Sequence, residues 1–328
     1  MKAIWYETPG VAREVLQFGD RVKPEPGPGE VLVRIRASAV NPSDVKKRAG
    51  AQPAGFVDGY VIPHSDGAGV IESVGEGVSG DRVGQRVWVY QAQFARHCGT
   101  CAQYVTLPSM LAASLPENTG YDIGACLGIP VMTAHRCVFS AGDLSGKNVL
   151  VTGASGRVGY YAVQWAKMAG ARVIATAGSE ERCRVAAKSG ADEVLNYRND
   201  HLVRDILGMT DQAGIDHIVE VEFGMNVGTS AAVIKNRGTV STYSSSLAPE
   251  PAIPFYPLMF KNVSVNMVLV YNMPDAAKEQ AVEDIHTALE QARLCHRIAG
   301  TWSLEETAKA HRAVEGGGMD GCAVIEIE

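Results

Sequence analysis

The 328-residue sequence lacks any apolar run near the ~20 residues that a bilayer span requires; its longest, such as residues 263–270, are far shorter. No secretory signal is expected, because Met1-Lys2-Ala3-Ile4-Trp5-Tyr6 runs straight into Glu7 without an apolar core. Positive charge is not in excess: 30 Lys and Arg stand against 36 Asp and Glu, for a net charge of −6. That balance provides no electrostatic footprint for nucleic acid or an anionic membrane. A disulfide framework is also missing, since the seven cysteines (98, 101, 126, 137, 183, 295 and 322) are odd in number and scattered. A reducing, cytoplasmic setting is expected. Apolar residues make up 46%, enough to bury a sizeable core, and the length suggests one large or two ordinary domains. Glycine, at 35 residues, is abundant, as tight turns and close backbone approaches demand.

Two textures divide the chain. The first 110 residues read as short strands broken by turns: residues 30–37 alternate apolar and polar after a Pro/Gly-rich turn, and 69–75 and 84–90 look like two more strands. A small β-barrel is expected there. From Asn148 the pattern becomes strand, glycine turn, helix and strand again, with strands at 148–152, 172–177, 193–197, 216–221, 239–243 and 263–270. Such alternation implies an α/β, doubly wound parallel sheet. The tail carries helices near 276–293 and 304–315 and a strand at 322–327. The expected domains are residues 1–120 completed by 272–328, and a Rossmann domain at 121–271.

The strand at 148–152 leads into Gly153-Ala154-Ser155-Gly156-Arg157-Val158-Gly159 and then a helix. This is an Ala-x-Gly-x-x-Gly form of the dinucleotide fingerprint. Gly156 admits a pyrophosphate to the backbone at the helix N-terminus, and Gly159 lets the helix lie close on the strand. Sites that prefer NAD place an acid at the end of the second strand to bind the ribose 2′-hydroxyl. Here that strand ends Ala175-Thr176-Ala177-Gly178-Ser179, followed by Arg182, and Tyr197 ends the next strand. A guanidinium and hydroxyls suit a 2′-phosphate, which favours NADP over NAD. Glu180 and Glu181 read as helix N-terminal charges that complement the macrodipole.

A catalytic zinc needs three Cys, His or acidic ligands and one open position. Asn41-Pro42-Ser43-Asp44 offers no cysteine, and in Pro63-His64-Ser65-Asp66-Gly67-Ala68-Gly69 a serine stands where the ligand is expected. Cys98-Gly99-Thr100-Cys101 has too few neighbouring ligands for a structural site and reads as a buried or redox-sensitive dithiol. No metal site is expected. Without a Lewis acid to stabilise an alkoxide, hydride delivery to an electron-poor acceptor is the easier chemistry.

Val40-Asn41-Pro42-Ser43-Asp44, Ser65-Asp66-Gly67-Ala68-Gly69-Val70-Ile71, Gly128-Ile129-Pro130-Val131-Met132-Thr133-Ala134, the 153–159 loop and Asn196-Tyr197-Arg198 follow one another in order. Together they resemble the zeta-crystallin-type quinone oxidoreductases, zinc-independent members of the medium-chain dehydrogenase/reductase superfamily. The resemblance runs from Met1 to Glu328. It implies a GroES-like catalytic domain, a Rossmann domain, NADPH as cofactor, and homodimers or homotetramers joined through the Rossmann edge strand at 263–270. Carried over, Asn41 would bond the nicotinamide ribose or carboxamide and Thr133 would line its pocket. Ala154, Ser155, Gly156, Arg157, Val158 and Gly159 would follow the pyrophosphate. Ser179, Arg182 and Tyr197 would hold the adenosine phosphate, and Ser244 would lie beside the nicotinamide ribose. Asn41, Asp44, Lys46 and Tyr60 are the catalytic candidates. Two positions depart from the family: Lys46 replaces a frequent tyrosine, and Gly321-Cys322 replaces a Gly-Lys pair.

The expected activity is NADPH-dependent reduction of a quinone. An enoyl or 2-alkenal reductase is the alternative, and would need a placed acid to protonate the enolate, for which Tyr60, Tyr90 and Lys46 are candidates. A binding module that retains the NADPH site, including an RNA-binding one, is disfavoured by the acidic balance. The local run Lys46-Lys47-Arg48 is read as a solvated turn. Acceptor choice depends on the loops at 45–62 and 244–258.

Overall fold

The computed structural model describes residues 1–51 and 59–328. Part of the 45–62 loop expected to shape the acceptor pocket therefore lies outside the described residues.

In chain order the elements are β1 (Lys2–Trp5), α1 (Ala12–Val15), β2 (Gln17–Asp20), β3 (Glu30–Val40), α2 (Pro42–Arg48), β4 (Asp66–Val74), β5 (Arg86–Val89), β6 (Tyr104–Pro108), β7 (Ala112–Ser114), α3 (Tyr121–Gly124) and α4 (Ile129–Phe139). There follow β8 (Asn148–Val151), α5 (Arg157–Met168), β9 (Arg172–Ala177), α6 (Glu180–Lys188), β10 (Glu193–Asn196), α7 (Leu202–Met209), β11 (Ile215–Glu220), α8 (Phe223–Val233), β12 (Ile234–Thr242), α9 (Phe255–Phe260) and β13 (Ser264–Met267). The chain ends with α10 (Asp275–Glu290), β14 (Ile298–Ser303), α11 (Thr307–Glu315) and β15 (Cys322–Glu326). Two compact units result: residues 1–129 with 282–328, and residues 130–281.

The first unit is built on a seven-stranded sheet ordered β14-β15-β3-β4-β5-β7, with β6 also paired to β3. Val33 and Ile35 of β3 are buried on either side of exposed Arg34, but Val31, Leu32 and Val33 are buried in a row, so the alternation expected over 30–37 breaks at a bulge. Val31, Val33 and Ile35 join Ile71, Val87, Val89, Val105, Leu107 and Ile325 in one apolar core. Bulges at Leu32/Val33 and Ile35/Ala37 shift the β3–β4 register.

Arg48 corrects the reading of residues 46–48 as a solvated turn. These residues form the last turn of α2, and the Arg48 side chain is 1% exposed. Its guanidinium donates to the Gly10 carbonyl and pairs with Glu315. A buried guanidinium requires such partners. Lys47 is half-buried and donates to the Gln93 carbonyl at 3.3 Å; only Lys46 of the three is exposed.

A second buried polar group joins distant segments of this unit. His64 and His311 stack at 5.1 Å, with their Nε2 atoms 2.8 Å apart. The Thr100 hydroxyl donates to the Asp66 carbonyl at 2.6 Å. Ser38 must then donate to Thr100 (2.7 Å), so Nδ1–H of His64 donates to Ser38 (2.8 Å). His311 Nε2–H completes the chain by donating to His64 Nε2. Both rings are thus neutral, in keeping with burial, which pushes His64 down to about 3 and His311 well below its usual value.

The second unit holds a six-stranded sheet ordered β10-β9-β8-β11-β12-β13, parallel throughout. Strand order reverses between β8 and β11, so ligands are expected outside the carboxyl ends of these two strands. Leu150, Ile174, Ile218 and Val240 supply the core with Phe223 and Val227 of α8. Residues 263–270 form a shorter edge strand than expected. The ladder covers Ser264–Met267, and Val270–Asn272 turns into a 3₁₀ helix.

The neutral histidine pair predicts acid lability. A histidine kept neutral when folded stabilises the protein fully above its unfolded value near 6.5, and that contribution is lost as pH falls toward its folded value. Urea unfolding at pH 7.5, 6 and 5 is expected to show stability dropping below pH 6.5 by roughly 1 kcal/mol per histidine per pH unit. Equal stability at the three pH values would contradict neutral burial.

Candidate active site

The loop after β8 is a cradle of backbone. Gly153 takes φ +60° and Gly156 caps α5 with extended geometry. A Cβ on Gly159 would stand 2.5 Å from the Gly153 carbonyl oxygen and 2.8 Å from Ala154 Cα, so helix and loop touch as only glycine allows. The Ala154 N–H donates to the Thr176 carbonyl at 2.9 Å, tying the loop to β9. Ala154 and Ser155 are buried, whereas Gly156 is exposed and Arg157 and Val158 are half-exposed. The first-turn N–H groups of the twelve-residue α5 have no partner within the helix and point at this opening. That arrangement receives an anion.

Ser179 and Tyr197 meet at the tip of β9, and Arg182 lies in the first turn of α6 just beyond, exposed. Ser179 caps α6, its hydroxyl accepting the Arg182 N–H at 3.3 Å. The Tyr197 hydroxyl lies over Gly178, 2.6 Å from where a Cβ would stand, and the ring is 47% exposed. No acid occupies the strand tip, and Glu180 and Glu181 lie in the first turn of α6, as the macrodipole favours. Thr133 is buried within α4. Ser244 follows β12; its carbonyl accepts the Phe223 N–H at 3.0 Å, and its hydroxyl lies 3.1 Å from that of Ser246.

In the first unit Asn41 and Asp44 form a capping box at the start of α2: the Asn41 side chain accepts the Asp44 N–H, and Asp44 Oδ2 accepts the Asn41 N–H at 2.7 Å. Sequence reasoning passed over the residue that completes this group. Asp66 is fully buried, and its Oδ2 accepts Asn41 Nδ2 at 2.8 Å and the Ile129 N–H at 2.7 Å. Oδ1 has no hydrogen-bond partner among the described residues, and desolvation raises the pKa well above the usual carboxyl range. A Cβ on Gly128 would collide with Oδ1, so that glycine was the signal available in the sequence.

Lys46 is exposed. Tyr60 carries the Arg21 guanidinium over its ring at 4.3 Å, and its carbonyl receives His97 Nδ1 at 3.0 Å. Burial, then the neighbouring Cys98, raises its pKa. Cys101 is fully buried with its thiol 3.4 Å from the Thr307 hydroxyl. Among the described residues no group of three or more His, Cys, Asp or Glu is placed to hold a metal ion.

Comparison with known proteins gives this geometry a family. A family model described as alcohol dehydrogenase GroES-like domain matches residues 27–139, and one described as zinc-binding dehydrogenase matches residues 158–287. A GroES-like unit with a Rossmann unit defines a medium-chain dehydrogenase/reductase. The human quinone oxidoreductase is 31% identical over 95% of this chain and 94% of its own. A mycobacterial protein solved with NADPH superposes with a TM-score of 0.87 at 25% identity, covering all of both chains. An NAD-dependent alcohol dehydrogenase does so at 29% identity, again with a TM-score of 0.87 and full coverage of both. Within the superfamily, this chain belongs to the zeta-crystallin-type quinone oxidoreductases.

The backbone contact at Gly159 predicts a costly substitution. Gly159→Ala must push α5 away from the loop and is expected to destabilise by about 1–3 kcal/mol while weakening dinucleotide binding. Gly178→Ala meets only the end of the Tyr197 side chain and should cost less. Thermal melts of both variants with and without NADPH check this; equal melting shifts would contradict it.

Proposed function

We propose that this protein transfers hydride from NADPH to a quinone. The observation that carries the reading is the glycine cradle at the N-terminus of α5 beside a β9 tip that bears Ser179, Arg182 and Tyr197 and no acid. Because the fold is shared with both an NADPH-bound protein and an NAD-dependent dehydrogenase, the residues at that tip decide the cofactor. A guanidinium and two hydroxyls bind a 2′-phosphate that a carboxylate would repel.

When bound, NADPH supplies the hydride. The backbone of residues 154–159 holds its pyrophosphate, and Ser179, Arg182 and Tyr197 hold the adenosine phosphate. Thr133 and Ser244 are assigned to the nicotinamide end together with Asn41. Asn41 is held by Asp44 and Asp66, which leaves its amide one hydrogen and one lone pair for a ligand. Asp44 accordingly acts by holding Asn41. Lys46, being exposed, is assigned to the acceptor side, as is Tyr60; the hydroquinone oxygens draw protons from water. All seven cysteines are free thiols, which suits the reducing cytoplasm.

NADPH oxidation scanned across ortho- and para-quinones, 2-alkenals and enoyl thioesters tests the acceptor class. Quinones are expected to turn over fastest, and faster 2-alkenal or thioester reduction would overturn the reading. Arg182→Ala should weaken NADPH by about 1.5–3 kcal/mol with little effect on NADH, read as dissociation constants. Equal affinity of the unmodified protein for the two cofactors would refute the assignment.

Self-association is assigned to β13, the edge of the parallel sheet. Val265, Met267 and Leu269 are 38%, 80% and 53% exposed, an apolar row beside unpaired backbone. The Val268 N–H donates to Thr242 at 2.7 Å, so by alternation the outward donors belong to Val265 and Met267. Met267→Pro should therefore remove a donor at the interface and produce monomers in sedimentation. A clean monomer for the unaltered protein at micromolar concentration would sink the assignment.

A further inference from the structure

At the carboxyl ends of β11 and β12, one side chain joins two loops. Glu222 follows β11 and caps α8. Its Oε1 accepts the Leu247 N–H at 2.8 Å, and its Oε2 accepts the Ser246 N–H at 3.1 Å. The backbone of Glu222 is itself held, because its N–H donates at 2.6 Å to Oε1 of Glu220, which also takes Asn226 Nδ2 at 2.7 Å. Glu220 is fully buried, and desolvation raises its pKa. Further bonds run from Tyr243 N–H to the Glu220 carbonyl (3.3 Å), from Phe223 N–H to the Ser244 carbonyl (3.0 Å) and from Gly224 N–H to Ser245 Oγ (3.0 Å). A Cβ on Gly224 would stand 2.5 Å from the Ala248 carbonyl oxygen, so the loop lies flat on the first turn of α8.

Burial does not hold the outer part of this loop, since Leu247 is 77% exposed. Two consecutive N–H groups on one carboxylate do hold it, and they fix its orientation as well as its distance. The same two bonds, with the helix N-terminus, offset the negative charge of Glu222 on the side of the sheet where a nucleotide phosphate is expected.

We propose that Glu222 is a positioning residue for the reaction. Its carboxylate sets the 244–247 backbone, and with it Ser244, for the nicotinamide end of NADPH. The inference rests on the assignment of Ser244 above, and its test separates the two. Glu222→Ala, Glu222→Gln and Ser244→Ala are made in the full chain. Each is measured for NADPH dissociation constant, for KM and kcat with 1,4-benzoquinone, and for hydrogen exchange of residues 243–248. Glu222→Ala is expected to raise the NADPH dissociation constant and KM about ten-fold, with kcat changed less than three-fold and exchange in the loop accelerated. Glu222→Gln keeps the size and one acceptor oxygen and should fall between. Faster exchange with unchanged NADPH affinity in both Glu222 variants would reduce the residue to a loop brace and overturn the proposal, as would unchanged exchange. If Ser244→Ala alone weakens NADPH, the clamp is refuted and the Ser244 assignment stands. If Glu222→Ala alone weakens it, the clamp acts through the 244–247 backbone and the assignment of the Ser244 hydroxyl falls.

Discussion

Asp66 opens β4 fully buried, with two N–H donors on one of its oxygens. A carboxyl is expensive to bury, as its raised pKa reflects, and the donors offset that cost only while they stay in place. One donor is the amide of Asn41 at the start of α2; the other is the first backbone N–H of α4. The carboxyl therefore sets where both helices begin. The absence of a side chain at Gly128 and the capping box of Asn41 and Asp44 are consequences of the same demand. Removing Asn41 or shifting Ile129 would leave Asp66 Oδ2 a single donor in the core.

Much of the second unit was legible because its signals are local. A buried parallel strand, a glycine turn and an amphipathic helix lie within one stretch of chain, and β9 spans the residues that periodicity assigned to it. The first unit hid more. Arg48 looked solvated beside two lysines, since nothing local shows that Gly10 and Glu315 wait to receive its guanidinium. His64 and His311 are 247 residues apart in sequence and meet only through folding. Apolar content marked residues 263–270 as strand, but it does not reveal where a ladder stops, and the 3₁₀ turn at Val270 ends it early. Glu222 escaped notice because its partners are backbone N–H groups, which no side-chain motif records.

The two assigned ends of the cofactor illustrate different ways of holding a loop. At the β9 tip, Ser179, proposed to meet the adenosine phosphate, also serves as a helix cap, so its hydroxyl is aimed by secondary structure alone. Beyond β12 no helix follows at once, and a carboxylate from the neighbouring connection does the aiming instead. Rigid backbone suffices for the pyrophosphate, which asks only for N–H groups and room. Side-chain bracing becomes necessary where the chain is exposed and irregular.

The first unit is written in two pieces. β3 receives β15 along one edge, and β15 in turn receives β14, yet both of these strands lie beyond the whole of the second unit in sequence. During synthesis the contiguous second unit is complete while β3 still shows an unpaired edge. That edge, Ala37-Ser38-Ala39-Val40, leaves its backbone groups open to foreign strands until residues 322–326 emerge. Folding of the first unit therefore waits on residues 298–326, and a ribosome that stalls after residue 281 leaves a finished second unit attached to an open sheet.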